Sequence, residues 1–186
     1  MKEKENILDI LVKSKKAVKE ENVVLLKELS NKTIHSASIY GDLDNIAIAV
    51  IVYSLSKLIE RKRYAECSGW KRFFKRFIMH MDLAAEELRK NNEMKFHYHV
   101  QEIIQGINKL SGKFGDYIKD VFKKARINKA SRIYEHGVSM EKTAKLLGIS
   151  MWELAEYAGQ TGISDANLGI SKNVKDRIML AEKVFS

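Results

Sequence analysis

The sequence predicts an all-α protein, an N-terminal helical bundle followed by a C-terminal helix-turn-helix unit. Three observations carry that reading. The 186 residues contain no proline, so nothing interrupts a helix from within. Apolar residues recur at three- and four-residue spacing throughout, and no stretch alternates apolar and polar positions between hairpin turns. The window Ser139 to Gly159, SMEKTAKLLGISMWELAEYAG, carries the punctuation of two short helices joined by a tight turn.

Taken in order, Ile7, Ile10, Leu11 and Val18 form a sparse stripe among lysines, so the first helix is expected to pack along one edge. A second run, from Val23 through Leu26, Leu29 and Ile34 to Ile39, stops at Gly41, and Asp42 or Asp44 can cap the next helix. That third helix, Ile46 to Ile59, is apolar on more than one face and should need neighbours on both sides. A break is expected at Ser68-Gly69, then a helix through Phe73, Phe77, Met81 and Leu88 that frays over Arg89 to Asn92. Another runs from about Met94 to Leu110. Gly112 and Gly115 bracket a joint, Asp116 can cap a long helix from Tyr117 to Tyr134, and Gly137 ends it. A last helix after Ser171 carries Val174, Ile178, Ala181 and Val184 on one stripe. The expected division is a bundle over 1–112, serving dimerisation or partner binding, and a helix-turn-helix domain over 113–186 in which the long helix leads or bridges.

Within Ser139 to Gly159 each residue type has a local reason. Ala144 is small where two helices cross, Gly148 permits the positive φ of a tight turn, and Leu147, Ile149 and Leu154 fill the wedge. Ser150 and Glu153 form a capping box that starts the second helix. If that helix enters a major groove, Ser150, Met151, Trp152, Ala155, Glu156 and Gln160 face the bases. None of the six is a lysine or arginine, the side chains that most often read guanine.

The formal charge of +9 and pI near 9.5 favour an anionic partner, nucleic acid before an acidic membrane surface. From Arg126 to Ser186 nine basic residues face seven acidic ones, so most of the excess lies earlier. Arg61, Lys62, Arg63, Lys71, Arg72, Lys75 and Arg76 form the densest cluster, opposed only by Glu66. Its aromatics admit two accounts. Trp70 or Tyr64 could stack on an exposed base, or Trp70, Phe73, Phe74 and Phe77 are the apolar face of an amphipathic helix whose solvated face is cationic. Either account leaves the cations free to hold phosphate. With Lys142 and Lys145 they make the expected phosphate-contacting set, with the stretch Lys119 to Lys129 as a further source.

Catalytic chemistry finds no support in the pattern. His97 and His99 are two apart on a helix and point to different faces, with no ligand partner at recognised spacing. His35 and His80 read as ordinary polar or satisfied core positions. Arg76 and His80 are too close, and Arg72 and His80 too far apart, for the arginine–histidine motif of helical RNases. No phosphate loop, HExxH or Ser/His/Asp order is present, so no metal, cofactor or enzymatic activity is expected. One cysteine, Cys67, cannot form an internal disulfide and points to a reducing cytoplasm. The charged N-terminus lacks a signal-peptide core, and the apolar run Ile46 to Val52 is too short to span a bilayer.

The segment from about Lys129 to Asp165 also resembles the helix-turn-helix of a family of small prokaryotic antitoxin-like proteins. The resemblance rests on Arg132-Ile133-Tyr134 before Gly137, Ser139, Ala144, the Gly148-Ile149-Ser150 turn, Trp152-Glu153 and Gly162-Ile163. It covers about a fifth of the chain, and the large N-terminal region departs from the pattern. It implies a regulator that binds double-stranded DNA or neutralises a toxin protein. A homodimer is expected, because one short helix reads few bases. The alternative is a helical interaction or scaffold protein whose basic face binds RNA or an acidic protein.

Overall fold

The computed structural model describes residues 3–40, 42–61 and 68–161, and these form eight α-helices with no strand among them. They are α1 (Lys4–Lys19), α2 (Val23–Tyr40), α3 (Leu43–Arg61), α4 (Ser68–Arg89), α5 (Glu93–Asn108), α6 (Gly112–Glu135), α7 (Met140–Leu147) and α8 (Met151–Gln160). Gly41, Lys62, Arg63, Tyr64, Glu66, Cys67, Gly162, Ile163 and the helix expected after Ser171 lie outside the described residues.

Asp42 sets the start of the central helix. Its carboxylate accepts from the Asp44 amide at 3.0 Å, a donor that the helix N-terminus leaves open, and from the Asn45 side chain at 3.2 Å. Downstream, α3 buries residues around most of its circumference, Ile46, Ile48, Ala49, Val52, Leu55 and Leu58 among them. The two-sided apolar pattern therefore finds its neighbours: α3 packs on α2, α1 and α6. Helices α2 with α3 and α4 with α5 form the two closest pairs, and α1 lies against both α2 and α4. Its buried stripe is Ile7, Ile10, Leu11, Ser14 and Ala17.

Two boundaries differ from the sequence reading. Ser68 and Gly69 belong to the first turn of α4 and do not break the chain. At the next joint α6 begins at Gly112 after Ser111, so Asp116 lies inside the helix and caps nothing. Gly115 sits against the Leu110 backbone, where a Cβ would lie 2.6 Å from the Leu110 carbonyl carbon. The Gly115 amide donates to the Ser111 carbonyl at 3.2 Å, so the first helical turn closes before the Asp116 carboxylate is reached.

Rings knit α4 to α6: Phe73 meets Phe114 and Phe77 meets Phe122, with centroids 6.0 Å apart in both pairs. Trp70 stacks on Phe74 with centroids 5.1 Å apart. The amphipathic-helix account of these aromatics is thus the one realised. Helix α6 contacts α3, α2 and α5 and also carries α7 and α8, and a single apolar core runs from Ile7 to Leu154.

Candidate nucleic-acid interface

The turn between α7 and α8 is built from local chemistry. The Ser139 hydroxyl accepts from the Lys142 amide at the start of α7. Gly148 ends that helix at φ +61°, a left-handed value that favours glycine. At the start of α8 the Ser150 hydroxyl accepts from the Glu153 amide at 3.1 Å, and the Glu153 carboxylate accepts from the Ser150 amide at 2.9 Å. Both halves of the capping box are present. Ala144, Leu147 and Leu154 are buried where α7, α8 and α6 meet, and Ile149 is partly buried.

Glu153 is also the anchor of α8 on α6. Lys123 reaches its carboxylate at 2.7 Å. That contact, with the Ser150 amide and hydroxyl, holds its pKa down to about 2, so the pairing persists at any ordinary pH. Asn128 adds a second tie, donating to the Tyr157 hydroxyl at 3.0 Å.

The expected base-facing residues divide into three groups. Met151 and Trp152 stand out from the first turn of α8, Trp152 with 84% of its surface exposed. Ser150 is exposed but its hydroxyl is engaged in the cap, and Ala155 is half-buried. Glu156 and Gln160 are exposed and bonded to each other at 3.3 Å, and both line a groove shared with Tyr53, Lys57 and Arg61 of α3. Among the described residues, Arg61 is therefore the member of the basic cluster that shares a surface with α8.

The rest of the described cluster is elsewhere. Lys71, Arg72, Lys75 and Arg76 occupy the solvated face of α4, which packs on α5 and α1. Arg72 and Arg76 border a groove between α4 and α5 that no residue of α7 or α8 lines. Arg76 is tied to Glu102 at 2.7 Å. In the same groove the buried His80 lies with its Nδ1 3.1 Å from that of His99, and burial, then the neighbouring imidazole, lowers its pKa. His97 instead meets Asp44 at 2.9 Å.

Cations do flank the turn, supplied by α6 and α7. Lys119, Arg126 and Lys145 line one groove together with Gly148. A Cβ on Gly148 would lie 3.9 Å from the Arg126 guanidinium, which places that side chain against the turn itself. Lys142 is exposed one turn before Lys145. None of these four has an ion-pair partner among the described residues. Lys129 is the exception in the α6 series, since it is fully buried and cannot reach a phosphate.

Among the described residues no group of three or more His, Cys, Asp or Glu is placed to hold a metal ion. No described helix is long and apolar enough to cross a membrane. No family model, curated protein or solved structure matches the chain.

Proposed function

We propose that the chain is a DNA-binding transcriptional regulator in which α7, the Gly148 turn and α8 act as a helix-turn-helix. The observation that carries this reading is the set of cations around the turn, Lys119, Arg126, Lys142 and Lys145, which have no ion-pair partner among the described residues, beside an α8 whose own exposed face has no cation. Phosphate contacts position a protein on the duplex and base contacts specify the site. Here α6 and α7 supply the first and Met151 with Trp152 the second, by apolar contact with base edges such as the thymine methyl.

The test is retardation of DNA from the chain's own promoter in the presence of competitor DNA. Trp152→Ala should cost about tenfold in preference for that site, a loss of about 1.4 kcal/mol. Reversing Arg126 and Lys145 should weaken binding to every sequence and flatten the salt dependence by about two charges. If Lys71 and Arg72 changes abolish binding while Trp152→Ala leaves it intact, α8 is not the recognition helix.

The exposed Met151–Trp152 pair also favours a second reading, a helical interaction protein. Exposed tryptophans are common anchors at protein interfaces. A toxin protein, the partner implied by the antitoxin resemblance, would then cover α8, and Trp152→Ala would abolish complex formation without any DNA phenotype.

A further inference from the structure

The groove that holds Lys119, Arg126 and Lys145 has an apolar floor that phosphate binding does not use. Its volume is about 820 Å³, and Val50 and Ile51 of α3, Ile107 of α5, Phe122 of α6 and Leu147 of α7 form the floor. Leu43 and Ile104 stand at its edge, 59% and 43% exposed. The acid that lines it, Asp120, is matched by Lys124 at 2.8 Å. Lys123 is matched by Glu153. Among the described residues the remaining charge of the groove is that of Lys119, Arg126 and Lys145, none of them in an ion pair.

We propose that this groove binds a free anionic amphiphile, a carboxylate on an apolar tail, with the tail on the floor and the carboxylate at Lys119, Arg126 and Lys145. The volume lies within the range of about 300–1,000 Å³ found for small-molecule sites, which are apolar with a few placed polar groups. Arg126 offers a planar fork that matches a carboxylate, and the two lysines add point charge. The lining comes from four helices, α3, α5, α6 and α7, and the groove joins this apolar floor to a cationic rim, the two parts of an anionic amphiphile. The site stands whether or not α8 reads DNA.

Titration calorimetry of the full chain with decanoate, octanoate, decan-1-ol and decyltrimethylammonium, all below their micelle concentrations, tests this. Decanoate should bind saturably at one site, octanoate about tenfold more weakly for its two missing methylenes, and the cationic amphiphile not at all. Reversing the exposed Arg126 and Lys145 to Glu should weaken decanoate by about tenfold and leave decan-1-ol unchanged, with circular dichroism confirming the fold. Ile104→Asp should weaken both. Equal binding of decanoate and decan-1-ol, or binding indifferent to these variants, overturns the proposal. So does binding to anionic vesicles but not to monomeric decanoate, which makes the groove a membrane contact. Binding of an acidic helical peptide in place of decanoate makes it a protein-docking surface and overturns it equally.

Discussion

Lys129 is the least expected residue in the molecule. Its side chain is fully buried between α6, α2 and α3, with the amine donating to Asn31 at 2.8 Å and lying 4.2 Å from the centre of the Tyr53 ring. One hydrogen bond and a ring face replace the water an ammonium would otherwise have. Burial, and then the nearby Arg132 charge, lower its pKa to about 7 from an ordinary 10.5. Between those values the unfolded chain binds more protons than the folded one, so stability rises with pH across the window, and the cost is fully present below about pH 7. Lys129→Met should therefore stabilise the protein at pH 6 by about 1–3 kcal/mol. Asn31 is exposed and can turn to solvent, so the substitution strands no buried acceptor. Urea denaturation at pH 6, 8 and 10 should show the gain shrinking as pH rises. A loss of stability at pH 6 would mean that the Asn31 and Tyr53 contacts outweigh the burial.

Among the elements, α7 and α8 depend on a left-handed turn residue and a capping contact that can be changed singly. Gly148→Ala places an alanine at φ +61°, and its Cβ meets nothing closer than the Arg126 guanidinium at 3.9 Å. The cost is then one of backbone conformation, about 1 kcal/mol, and Gly148→Asn should cost less because asparagine tolerates the left-handed region. Ser150→Ala removes the acceptor for the Glu153 amide and should cost about 1 kcal/mol. Denaturation of each variant checks both values, and a neutral Gly148→Ala would show that the turn is not held at that φ. These elements were legible in the sequence because their determinants sit within three residues of each other: Ser150 with Glu153, Asp42 with Asn45, Gly148 after Leu147. The two-faced apolar pattern of α3 was legible for a similar reason, since periodicity alone announces burial on both sides. Asp116 misled because its capping chemistry was right, but the helix has already started at Gly112, where the chain turns at φ +67° and Gly115 packs against the Leu110 backbone. Lys129 misled likewise: as one of several cations along α6, it differs from Lys119 only in which neighbour covers it. The expected DNA face shows the same limit. Which cations stand beside the turn depends on contacts between α6 and α7, while Arg72 and Arg76 of the dense α4 cluster border another groove.

For the whole molecule, the two proposed ligands compete for the same charges. Lys119, Arg126 and Lys145 are assigned phosphate contacts in one reading and a carboxylate in the other, and the groove that holds them is walled by the Gly148 turn itself. A bound carboxylate neutralises cations that would otherwise displace counterions from DNA. Coupling between two binding sites is reciprocal, so whatever factor the amphiphile takes from DNA affinity, DNA must take from amphiphile affinity. Saturating decanoate should weaken promoter binding by about tenfold, within the usual coupling range, and should reduce its salt dependence by about one charge. Decan-1-ol, which fills the floor without the charge, should do neither. Fluorescence anisotropy of labelled promoter DNA, titrated at several salt concentrations with and without each amphiphile, measures both effects. If decanoate is bound but DNA affinity and salt slope stay unchanged, the phosphates are not held by these cations, and the DNA surface must be sought on the α3–α8 groove around Arg61.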